Sequence, residues 1–314
     1  MQKRIITLTI NPALDKNSRI EQVVPNEKLR CEPPAREPGG GGINVSRAIR
    51  RLGGESLAIY PCGGLMGELF KELLDEEGVE HLPISIEAMT RENSIVFETG
   101  SNQQYIFGMP GPELQEEEWQ QTLEALAGAD PRPDYIVASG SIPPGVPHDF
   151  YQRVAELAQE MESRLILDTS EEPLRLATEA GVYLIKPNMR ELGQLVGREI
   201  EGENHQIAAA KDLVERKRTE VVVVSMGAGG ALLVTEEMAE HLRTPTVPIK
   251  SRIGAGDSMV AGIVLGLSRG KSVREATLFG MAAGAATVML PGTELCRRDD
   301  TEALYQRLLS GEVE

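Results

Sequence analysis

A short run near residue 255 combines glycine with a carboxylate and leads into a helix. The residues Gly254-Ala-Gly-Asp257 precede an apolar stretch that begins Ser258-Met-Val-Ala-Gly. Successive backbone N–H groups at a helix start bind phosphate oxygens, and a carboxylate beside them can accept a proton from an attacking hydroxyl. The run therefore predicts a general base, Asp257, next to an anion hole. The alternative is that Asp257 or Ser258 only caps the helix.

Four consecutive glycines mark a second candidate site near residue 40. The segment Glu37-Pro-Gly-Gly-Gly-Gly-Ile-Asn44 runs into a stretch whose apolar and small residues recur at helical spacing. Glycines lack the Cβ atoms that would keep backbone N–H groups away from a ligand, and the helix start adds unpaired donors. We predict a ligand site here, which Asn44 faces from the first helical turn. The alternative is a tight turn with close helix packing.

A third candidate, Lys186-Pro-Asn-Met-Arg-Glu191, follows the apolar run 182–185. Pro187 ends the strand, and Asn188 can begin a helix whose first turn holds Glu191. An amide and a carboxylate in this arrangement could serve a hydrated Mg²⁺ ion. Capping of the helix by Asn188 and Glu191 is equally compatible with the sequence.

Two other glycine patterns resemble nucleotide-binding motifs without fitting them. Residues 254–259 lack the third glycine of the dinucleotide fingerprint, which argues against a dehydrogenase. Residues 266–272 are one residue short of a P-loop and follow a helix rather than a strand. Gly270 just beyond a helix end, followed by a capping box of Ser272 and Glu275, explains this segment better.

The elements that hold these residues follow from the hydrophobic pattern. Short β-branched runs alternate with amphipathic stretches, which is typical of strands joined by crossover helices in a mostly parallel sheet. Runs such as Val221-Val-Val-Val224 are continuous, as expected when helices cover both faces of the sheet. The predicted strands are residues 4–10, 56–60, 135–138, 165–167, 183–185 and 221–224. The predicted helices are residues 44–52, 67–76, 116–126, 149–161, 206–215 and 258–267.

Two segments interrupt this alternation. Residues 17–37 and 93–107 alternate polar and apolar residues, with no helix between paired strands. Strands with a polar face do not fit into a parallel core that is buried on both sides. We predict that they form a small β lid on a single domain that spans residues 1–314.

Charge limits the ligands that this chain can bind. The 314 residues include 32 Lys and Arg against 48 Asp and Glu, which gives a net charge of −16. Such a surface repels polyanions, so neither nucleic acid nor an anionic membrane is an expected partner. A phosphorylated small molecule would need a local cluster of Lys and Arg.

Cysteine usage and hydropathy indicate a compartment. Cys31, Cys62 and Cys296 are widely spaced and form neither a disulfide framework nor a metal motif. No apolar run approaches the ~20 residues of a membrane span, and the apolar run after Met1 is too short for a signal peptide. We expect a cytoplasmic protein without structural zinc.

Together and in this order, the three candidate sites resemble the PfkB group of ribokinase-like carbohydrate kinases. The glycine run near residue 40, the Lys186-Pro-Asn-x-x-Glu191 segment and the run ending at Asp257 match the group's motifs, and the similarity covers essentially the whole chain. Within the group, segments 7–15, 28–31, 37–44, 137–145 and 277–296 are most similar to those of the bacterial 6-phosphofructokinases. The resemblance implies a three-layer α/β/α core with a mostly parallel sheet and a small β-sheet lid.

The resemblance also implies roles on the sugar side of the site. Asp257 would take the proton of the sugar hydroxyl. The anion hole for the transferred phosphoryl group would be formed by the amides of Gly254, Ala255 and Gly256. Sugar hydroxyls would be held by Asp15, Gly40, Gly41 and Asn44. The phosphate already on the sugar would be bound by Lys28, Arg30 and Arg91, with Ser141 nearby.

On the nucleotide side, the resemblance implies an ATP site and associated cations. The ATP site would be lined by Lys186, Asn188, Ser225, Gly227, Gly230, Ser251 and Ile253. Glu191 would act on Mg²⁺ through water. Some relatives also hold a monovalent cation such as K⁺, mostly through carbonyls near Ser251, Ile253, Leu290 and Gly292. Leu290 replaces the polar residue expected at its position, so the sequence leaves this cation site open.

The implied reaction is ATP-dependent phosphorylation of fructose 6-phosphate at its C1 hydroxyl, which gives fructose 1,6-bisphosphate and ADP. Tagatose 6-phosphate and fructose 1-phosphate are alternative acceptors, and a non-catalytic sensor of sugar phosphates or nucleotides is a more distant alternative. Family members with such lids commonly pair lid to lid, so the implied assembly is a homodimer. Lys28 and Arg30 could then serve the neighbouring subunit.

Overall fold

The structure, a computed structural model, describes residues 2–312 as one α/β assembly. The strands are β1 (Ile5–Leu8), β2 (Ala13–Ile20), β3 (Ala35–Gly39), β4 (Leu57–Cys62), β5 (Glu80–Ser85), β6 (Arg91–Glu98), β7 (Gln103–Phe107), β8 (Tyr135–Ser139), β9 (Arg164–Asp168), β10 (Val182–Ile185), β11 (Thr219–Ser225), β12 (Ala231–Val234) and β13 (Ala239–Leu242). The helices are α1 (Gly41–Arg51), α2 (Gly64–Glu76), α3 (Glu116–Ala127), α4 (Phe150–Glu160), α5 (Glu171–Ala180), α6 (Met189–Val196), α7 (Gly202–Glu215), α8 (Ala255–Ser268), α9 (Val273–Val288) and α10 (Arg298–Ser310).

The core is a nine-stranded sheet in the order β13-β12-β11-β10-β9-β8-β1-β4-β5. The strands from β11 to β5 in this order are parallel, and β12 and β13 extend the sheet as an antiparallel hairpin. Parallel strands need crossover connections, and helices provide most of them. Because parallel strands end at one edge of a sheet, the segments after β1, β8, β9 and β10 meet there.

Helices cover both faces of this sheet, because successive strand residues point to opposite sides. Val221 and Val223 pack into one apolar cluster, which includes residues of α1, α8, α9 and α10. Val222 and Val224 pack into another, which includes residues of α3, α4 and α7. The predicted three-layer architecture with a mostly parallel sheet is confirmed.

Each of the six predicted strands and six predicted helices is present, with ends shifted by a few residues. The capping box of Ser272 and Glu275 starts α9, and Gly270 follows the end of α8 with φ 81°. The pattern did not assign β5, β12, β13, α5 or α10. The strand β5 lies at an edge of the sheet and contains Glu80 and Pro83, so it lacks the apolar run of a central strand.

A separate four-stranded sheet, in the order β3-β2-β6-β7, carries β2 and β6 side by side in parallel. In this sheet β2 begins at Ala13 and β6 begins at Arg91, each earlier than the corresponding predicted segment, 17–37 or 93–107. Ala13 and Leu14 are both buried, so polar and apolar residues do not alternate there. Residues 21–34 contain no strand, so only the ends of the first predicted segment are extended. Between residues 2 and 312, no helix is both long and apolar enough to cross a membrane.

Candidate active site

The start of α8 exposes backbone donors. Gly254 is the N-cap residue with φ 73°, and no side chain caps this helix in the described structure. The amide of Ser258 donates to the Gly254 carbonyl oxygen at 2.8 Å, so the first-turn amides of Ala255, Gly256 and Asp257 are left for a ligand. Asp257 is the third residue of the helix and does not cap it. The predicted set, the amides of Gly254, Ala255 and Gly256, lies at this same helix start, where the N-cap amide also has no intrahelical partner.

The carboxylate of Asp257 faces the first turn of α1. Its Oδ2 accepts a hydrogen bond from Nδ2 of Asn44 at 2.8 Å. Burial raises the pKa of Asp257 to about 7, and the charges of Asp168 and Asp15 add to this, whereas the Asn44 hydrogen bond and the Lys186 charge lower it. A carboxylate with this pKa can both accept and release a proton near neutral pH.

A buried ammonium group lies beside the free amides. Nζ of Lys186, a residue 7% exposed, pairs with Oδ1 of Asp168 at 3.2 Å. The same Nζ is 3.6 Å from where a Cβ atom on Gly256 would lie. Burial works to lower the pKa of Lys186, but the charges of Asp168, Asp257 and Glu191 outweigh it and raise this pKa. Lys186 is therefore charged at the anion hole.

Asp168 was not among the predicted site residues. It is the last residue of β9, and β9 pairs in parallel with β10, which directly precedes Lys186. Its position at the carboxyl end of a predicted strand was the available signal, since ligands of parallel sheets bind at that edge.

The capping box predicted for Asn188 and Glu191 is present. Oδ1 of Asn188 accepts from the Glu191 amide at 3.0 Å, and Oε2 of Glu191 accepts from the Asn188 amide at 2.9 Å. Asn188 also bridges to Ser225 at the end of β11. The structure thus brings Lys186, Asn188, Glu191 and Ser225 to one edge, with one oxygen of Glu191 outside the capping box.

The remaining predicted nucleotide residues lie on two loops. Gly227 begins a 3-10 turn with φ 57°, and Gly230 follows it with φ 88°, where a Cβ atom would overlap the Leu242 carbonyl. The hydroxyl of Ser251 lies 2.6 Å from the Gly292 carbonyl oxygen. The amide of Ile253, on the same loop, donates to the Ser251 hydroxyl at 3.2 Å.

The glycine run near residue 40 is closely packed. A Cβ atom on Gly41 would overlap Ser139, and one on Gly42 would lie 2.7 Å from the Leu8 carbonyl oxygen. Gly40 is the N-cap residue of α1 with φ 109°. These glycines are closely packed, which brings the start of α1, with Asn44, against the ends of β1 and β8, and their role in holding sugar hydroxyls stays a prediction.

Asp15 and Arg91 lie at the junction of the small sheet and the core. Burial raises the pKa of Asp15, and Nδ2 of Asn93 donates to its Oδ1 at 2.9 Å. The Arg91 guanidinium donates to the carbonyl oxygens of Asn11 at 2.9 Å and Met109 at 2.7 Å. Three of the five Arg91 N–H hydrogens are engaged in this way, because Nε donates to a third carbonyl.

Ser141 approaches the same place from the core sheet. Its hydroxyl accepts from Nδ2 of Asn11 at 3.0 Å, so Ser141 and Arg91 both bind Asn11. Lys28 and Arg30, by contrast, are exposed on the strand-free segment 21–34. Within residues 2–312, neither of these two cations forms an ion pair or hydrogen bond with the other predicted site residues.

The small sheet touches the loops on the nucleotide side. Oε1 of Gln104 on β7 lies 3.1 Å from the Ser251 hydroxyl. Nδ2 of Asn17 donates to the Thr293 hydroxyl at 2.8 Å, and this hydroxyl also bonds Glu37. A cleft of about 710 Å³ lies beside these contacts, between the small sheet and residues 249–250 and 291–294. Gln104 lies in the predicted lid segment 93–107 and Thr293 in the family-similar segment 277–296, but neither was predicted as a site residue.

Sequence comparison places the chain among kinases of small molecules. The family model described as pfkB family carbohydrate kinase matches residues 8–300. ATP-dependent 6-phosphofructokinase isozyme 2 of Mycobacterium tuberculosis H37Rv is 47% identical over 96% of this chain and 89% of that protein. The enzyme of the same name in Escherichia coli K12 is 42% identical over 97% and 99%. A 1-phosphofructokinase of Bacillus subtilis is 36% identical over 97% of each.

Solved structures of phosphofructokinases and of a ribokinase agree with these sequence matches. Phosphofructokinase-2 of Escherichia coli in complex with fructose-6-phosphate superposes with a TM-score of 0.93 at 40% identity, covering 98% of this chain and 99% of that one. The same protein has been solved with potassium, with a TM-score of 0.93, and as a tetrameric inhibited form, with a TM-score of 0.91, both at 41% identity and the same coverage. A ribokinase of Thermotoga maritima, 22% identical with a TM-score of 0.76 over 97% of this chain and 99% of that one, shares the fold.

Proposed function

We propose that this chain, which belongs to the pfkB family of carbohydrate kinases, transfers the γ-phosphoryl group of ATP to the C1 hydroxyl of fructose 6-phosphate. The products are fructose 1,6-bisphosphate and ADP. One observation carries the proposal: free amides, the Lys186 ammonium and the Asp257 carboxylate meet at the first turn of α8. The relatives named ATP-dependent 6-phosphofructokinase support this choice of donor and acceptor.

In this reaction Asp257 acts as the general base. Its carboxylate accepts the proton of the C1 hydroxyl as the new O–P bond forms and the bond to the leaving ADP oxygen breaks. The amides of α8 and the Lys186 ammonium stabilise the negative charge on the equatorial phosphoryl oxygens. Asn44 holds one Asp257 oxygen at 2.8 Å, which leaves the other oxygen for the hydroxyl.

Magnesium would neutralise part of the ATP phosphate charge. Among residues 2–312, no three His, Cys, Asp or Glu side chains come close enough to ligate a metal directly. Mg²⁺ retains several waters and binds substrate phosphates, so carboxylates that contact those waters suit it better than direct ligands. The free Glu191 oxygen and the Asp168 carboxylate, which both interact with Lys186, would hold those waters.

We extend the proposal to a monovalent cation such as K⁺ at the loop of Ser251 and Gly292. The Gly292 carbonyl is turned towards Ser251, and the Escherichia coli relative has been solved with potassium. Leu290 is buried and contributes no side-chain oxygen. The carbonyl groups of this loop would therefore do most of the coordination.

The small sheet serves as the lid over the sugar phosphate. Arg91 and Ser141 lie together at Asn11, and both retain hydrogen-bonding capacity for a phosphate group. The contacts of Gln104 and Thr293 with opposite sides of the cleft support closure of the lid over the nucleotide loops. Such closure excludes water, which would otherwise compete with the sugar as acceptor.

We further propose a homodimer in which the lids pair and Lys28 and Arg30 reach the neighbouring site. Exposure of both cations on residues 21–34, and of Ile106 and Phe107 on β7, supports this assembly. The Escherichia coli relative has a tetrameric inhibited form, so a tetramer is the alternative assembly. Its substrates, ATP and a sugar phosphate, support the cytoplasm as the place of the reaction.

A 1-phosphofructokinase is the second candidate, since the Bacillus subtilis relative of that name is 36% identical. Fructose 1-phosphate carries its phosphate at the other end, yet the same base and phosphate clamp could hold it. Tagatose 6-phosphate differs from fructose 6-phosphate at one carbon and could use the same groups. A non-catalytic sensor has no support from this site, because its base and anion hole are both present.

A coupled assay of ADP release tests the function and its alternatives. Purified protein with ATP and Mg²⁺ is offered fructose 6-phosphate, tagatose 6-phosphate or fructose 1-phosphate, and kcat/KM is compared. We expect the highest value with fructose 6-phosphate. A higher value with another acceptor would reassign the substrate, and no turnover with any phosphosugar would refute the kinase proposal.

A further inference from the structure

Arg47 on α1 is buried behind the sugar side of the site, with 2% of its surface exposed. Its Nε donates to Oε2 of Glu77, the residue after α2, at 2.9 Å. Its Nη1 donates to the Pro38 carbonyl oxygen at 2.7 Å and to Oδ1 of Asn44 at 3.4 Å. Arginine has five N–H hydrogens and no acceptor, so both Nη1 hydrogens are engaged, one of them by Asn44.

This contact determines which end of the Asn44 amide faces the site. An amide has an oxygen that only accepts and a nitrogen that only donates, and its orientation follows from its partners. Because Oδ1 of Asn44 faces a guanidinium, Nδ2 is turned to the opposite side. There it donates to Oδ2 of Asp257 at 2.8 Å. The side chains therefore form the series Glu77, Arg47, Asn44, Asp257.

We propose that Arg47 is a positioning residue for the reaction: by binding Oδ1 of Asn44, it keeps the Asn44 NH₂ group on the Asp257 carboxylate. The inference rests on the proposed function, in which Asp257 is the base. Arg47 itself lies too deep to touch a substrate, since its guanidinium is enclosed by Glu77, Pro38 and Asn44. Its hydrogen-bonded route to Asp257 passes through Asn44, and its charge also works to lower the pKa of Asp15, which faces Asp257.

Loss of this orientation would change the protonation of Asp257. The charged groups that face Asp257 are Asp168 at the end of β9, Asp15 on β2 and Lys186 after β10. Burial and the two carboxylates favour the protonated form, whereas Lys186 and the Asn44 hydrogen bond favour the ionised form. A flipped Asn44 would present its oxygen to the carboxylate and remove one of these two stabilising contacts. The base would then stay protonated to higher pH.

The test compares the pH dependence of kcat/KM for two variants, one at each side of the Arg47–Glu77 ion pair. Arg47→Met removes the donor to Asn44, whereas Glu77→Gln weakens the ion pair and leaves that donor in place. We expect the acid limb of Arg47→Met to move up by about one pH unit, as expected for loss of a hydrogen bond to a carboxylate. The limb of Glu77→Gln should stay at the wild-type position.

A merely structural Arg47 would give a different result: both variants would lose stability, and their acid limbs would coincide. That outcome overturns the proposal, as does an unshifted limb in folded Arg47→Met. If Arg47→Met does not fold, Arg47→Lys replaces it, because an ammonium retains the charge but not the planar fork that reaches Glu77 and Asn44 together. An unshifted limb in Arg47→Lys would likewise overturn the proposal.

An Asn44→Leu background supplies a second test that needs no turnover. The pKa of Asp257 is followed by ¹³C NMR of labelled aspartate carboxyl groups, assigned with Asp257→Asn. We expect Arg47→Met to raise this pKa in the wild-type background and to leave it unchanged in Asn44→Leu. Equal shifts in both backgrounds would contradict the proposal. If the wild type transfers no phosphoryl group, the proposed function fails, but this titration still decides the role of Arg47.

Discussion

Two helices of this protein begin with glycines at the same edge of the core sheet, and they use them differently. At α1, Cβ atoms on Gly41 and Gly42 would collide with Ser139 and with the Leu8 carbonyl. At α8, a Cβ atom on Gly256 would meet only Nζ of Lys186, at an ordinary 3.6 Å. Gly41 and Gly42 are closely packed, as is Gly254 against Leu295 at the start of α8, whereas Gly256 leaves backbone amides open beside a cation.

The difference shows that a glycine-rich helix start does not by itself define a phosphate site. What distinguishes α8 from α1 is its surroundings: a charged ammonium and a carboxylate in the first turn. The α1 start contributes through Asn44, which its packing holds against Asp257. The helix α8 thus provides the reacting carboxylate and the amides, whereas α1 holds the Asp257 carboxylate in place through Asn44.

The largest effect should come from α8. Asp257→Asn keeps the size of the side chain and its acceptor for Asn44 but removes the base, so we expect kcat to fall by about 10²–10⁴-fold. Steady-state assays of ADP release measure this, and calorimetric titration with ADP should show unchanged binding. If the variant keeps kcat within threefold of wild type, Asp257 is not the base.

A matched pair of glycine substitutions tests whether the starts of α1 and α8 differ in this way. Gly42→Ala should destabilise the fold by about 1–3 kcal/mol, because its methyl group overlaps backbone. Gly256→Ala should leave stability unchanged or raise it by up to about 1 kcal/mol, yet raise the KM for ATP. Urea unfolding and steady-state kinetics check both. Equal destabilisation by the two changes would remove the distinction between the helix starts.

A smaller effect is expected at the lid. Arg91→Ala should raise the KM for the sugar phosphate about tenfold, since a charge-assisted hydrogen bond contributes roughly 1.5–3 kcal/mol, and should change the KM for ATP much less. Arg36→Ala is the control, because Arg36 lies on the same sheet but pairs with Glu92. Equal changes in the two KM values for Arg91→Ala would contradict its role in binding phosphate.

The smallest effect concerns stability. The pKa of Asp257 is about 7, above its ordinary 3.8, so between these values the folded state binds more protons than the unfolded state. Stability therefore falls as pH rises through this window. Asp257→Asn should melt roughly 2–4 °C higher than wild type at pH 8, with a smaller gain at pH 5. Glu156→Gln, at an exposed carboxylate on α4, should show no such gain.

Much of this architecture could be predicted from local pattern. Continuous apolar runs such as 221–224 indicated buried parallel strands, and the capping residues Asn188 and Ser272 indicated helix starts. The run ending at Asp257 indicated an anion site, because amides and a carboxylate share one turn. These features depend on residues close together in the sequence.

The features that the pattern could not predict depend on distant contacts. Asp168 reaches Lys186 only because β9 and β10 are neighbours. Arg47 reads as a surface residue of an amphipathic helix, and its burial follows from Glu77 on another element. The packing of Gly41 and Gly42 depends on where β1 and β8 end. Residue spacing within one element carries no information about such partners.

The most direct test of the account is the pH dependence of kcat/KM for fructose 6-phosphate, measured with saturating ATP and Mg²⁺ in wild type and Asp257→Asn. The wild-type value should rise with pH through about 7 and level off above it, because only ionised Asp257 accepts the hydroxyl proton. The variant should be slow and show no such limb. A variant that retains the wild-type limb would contradict the assignment of Asp257 as the base.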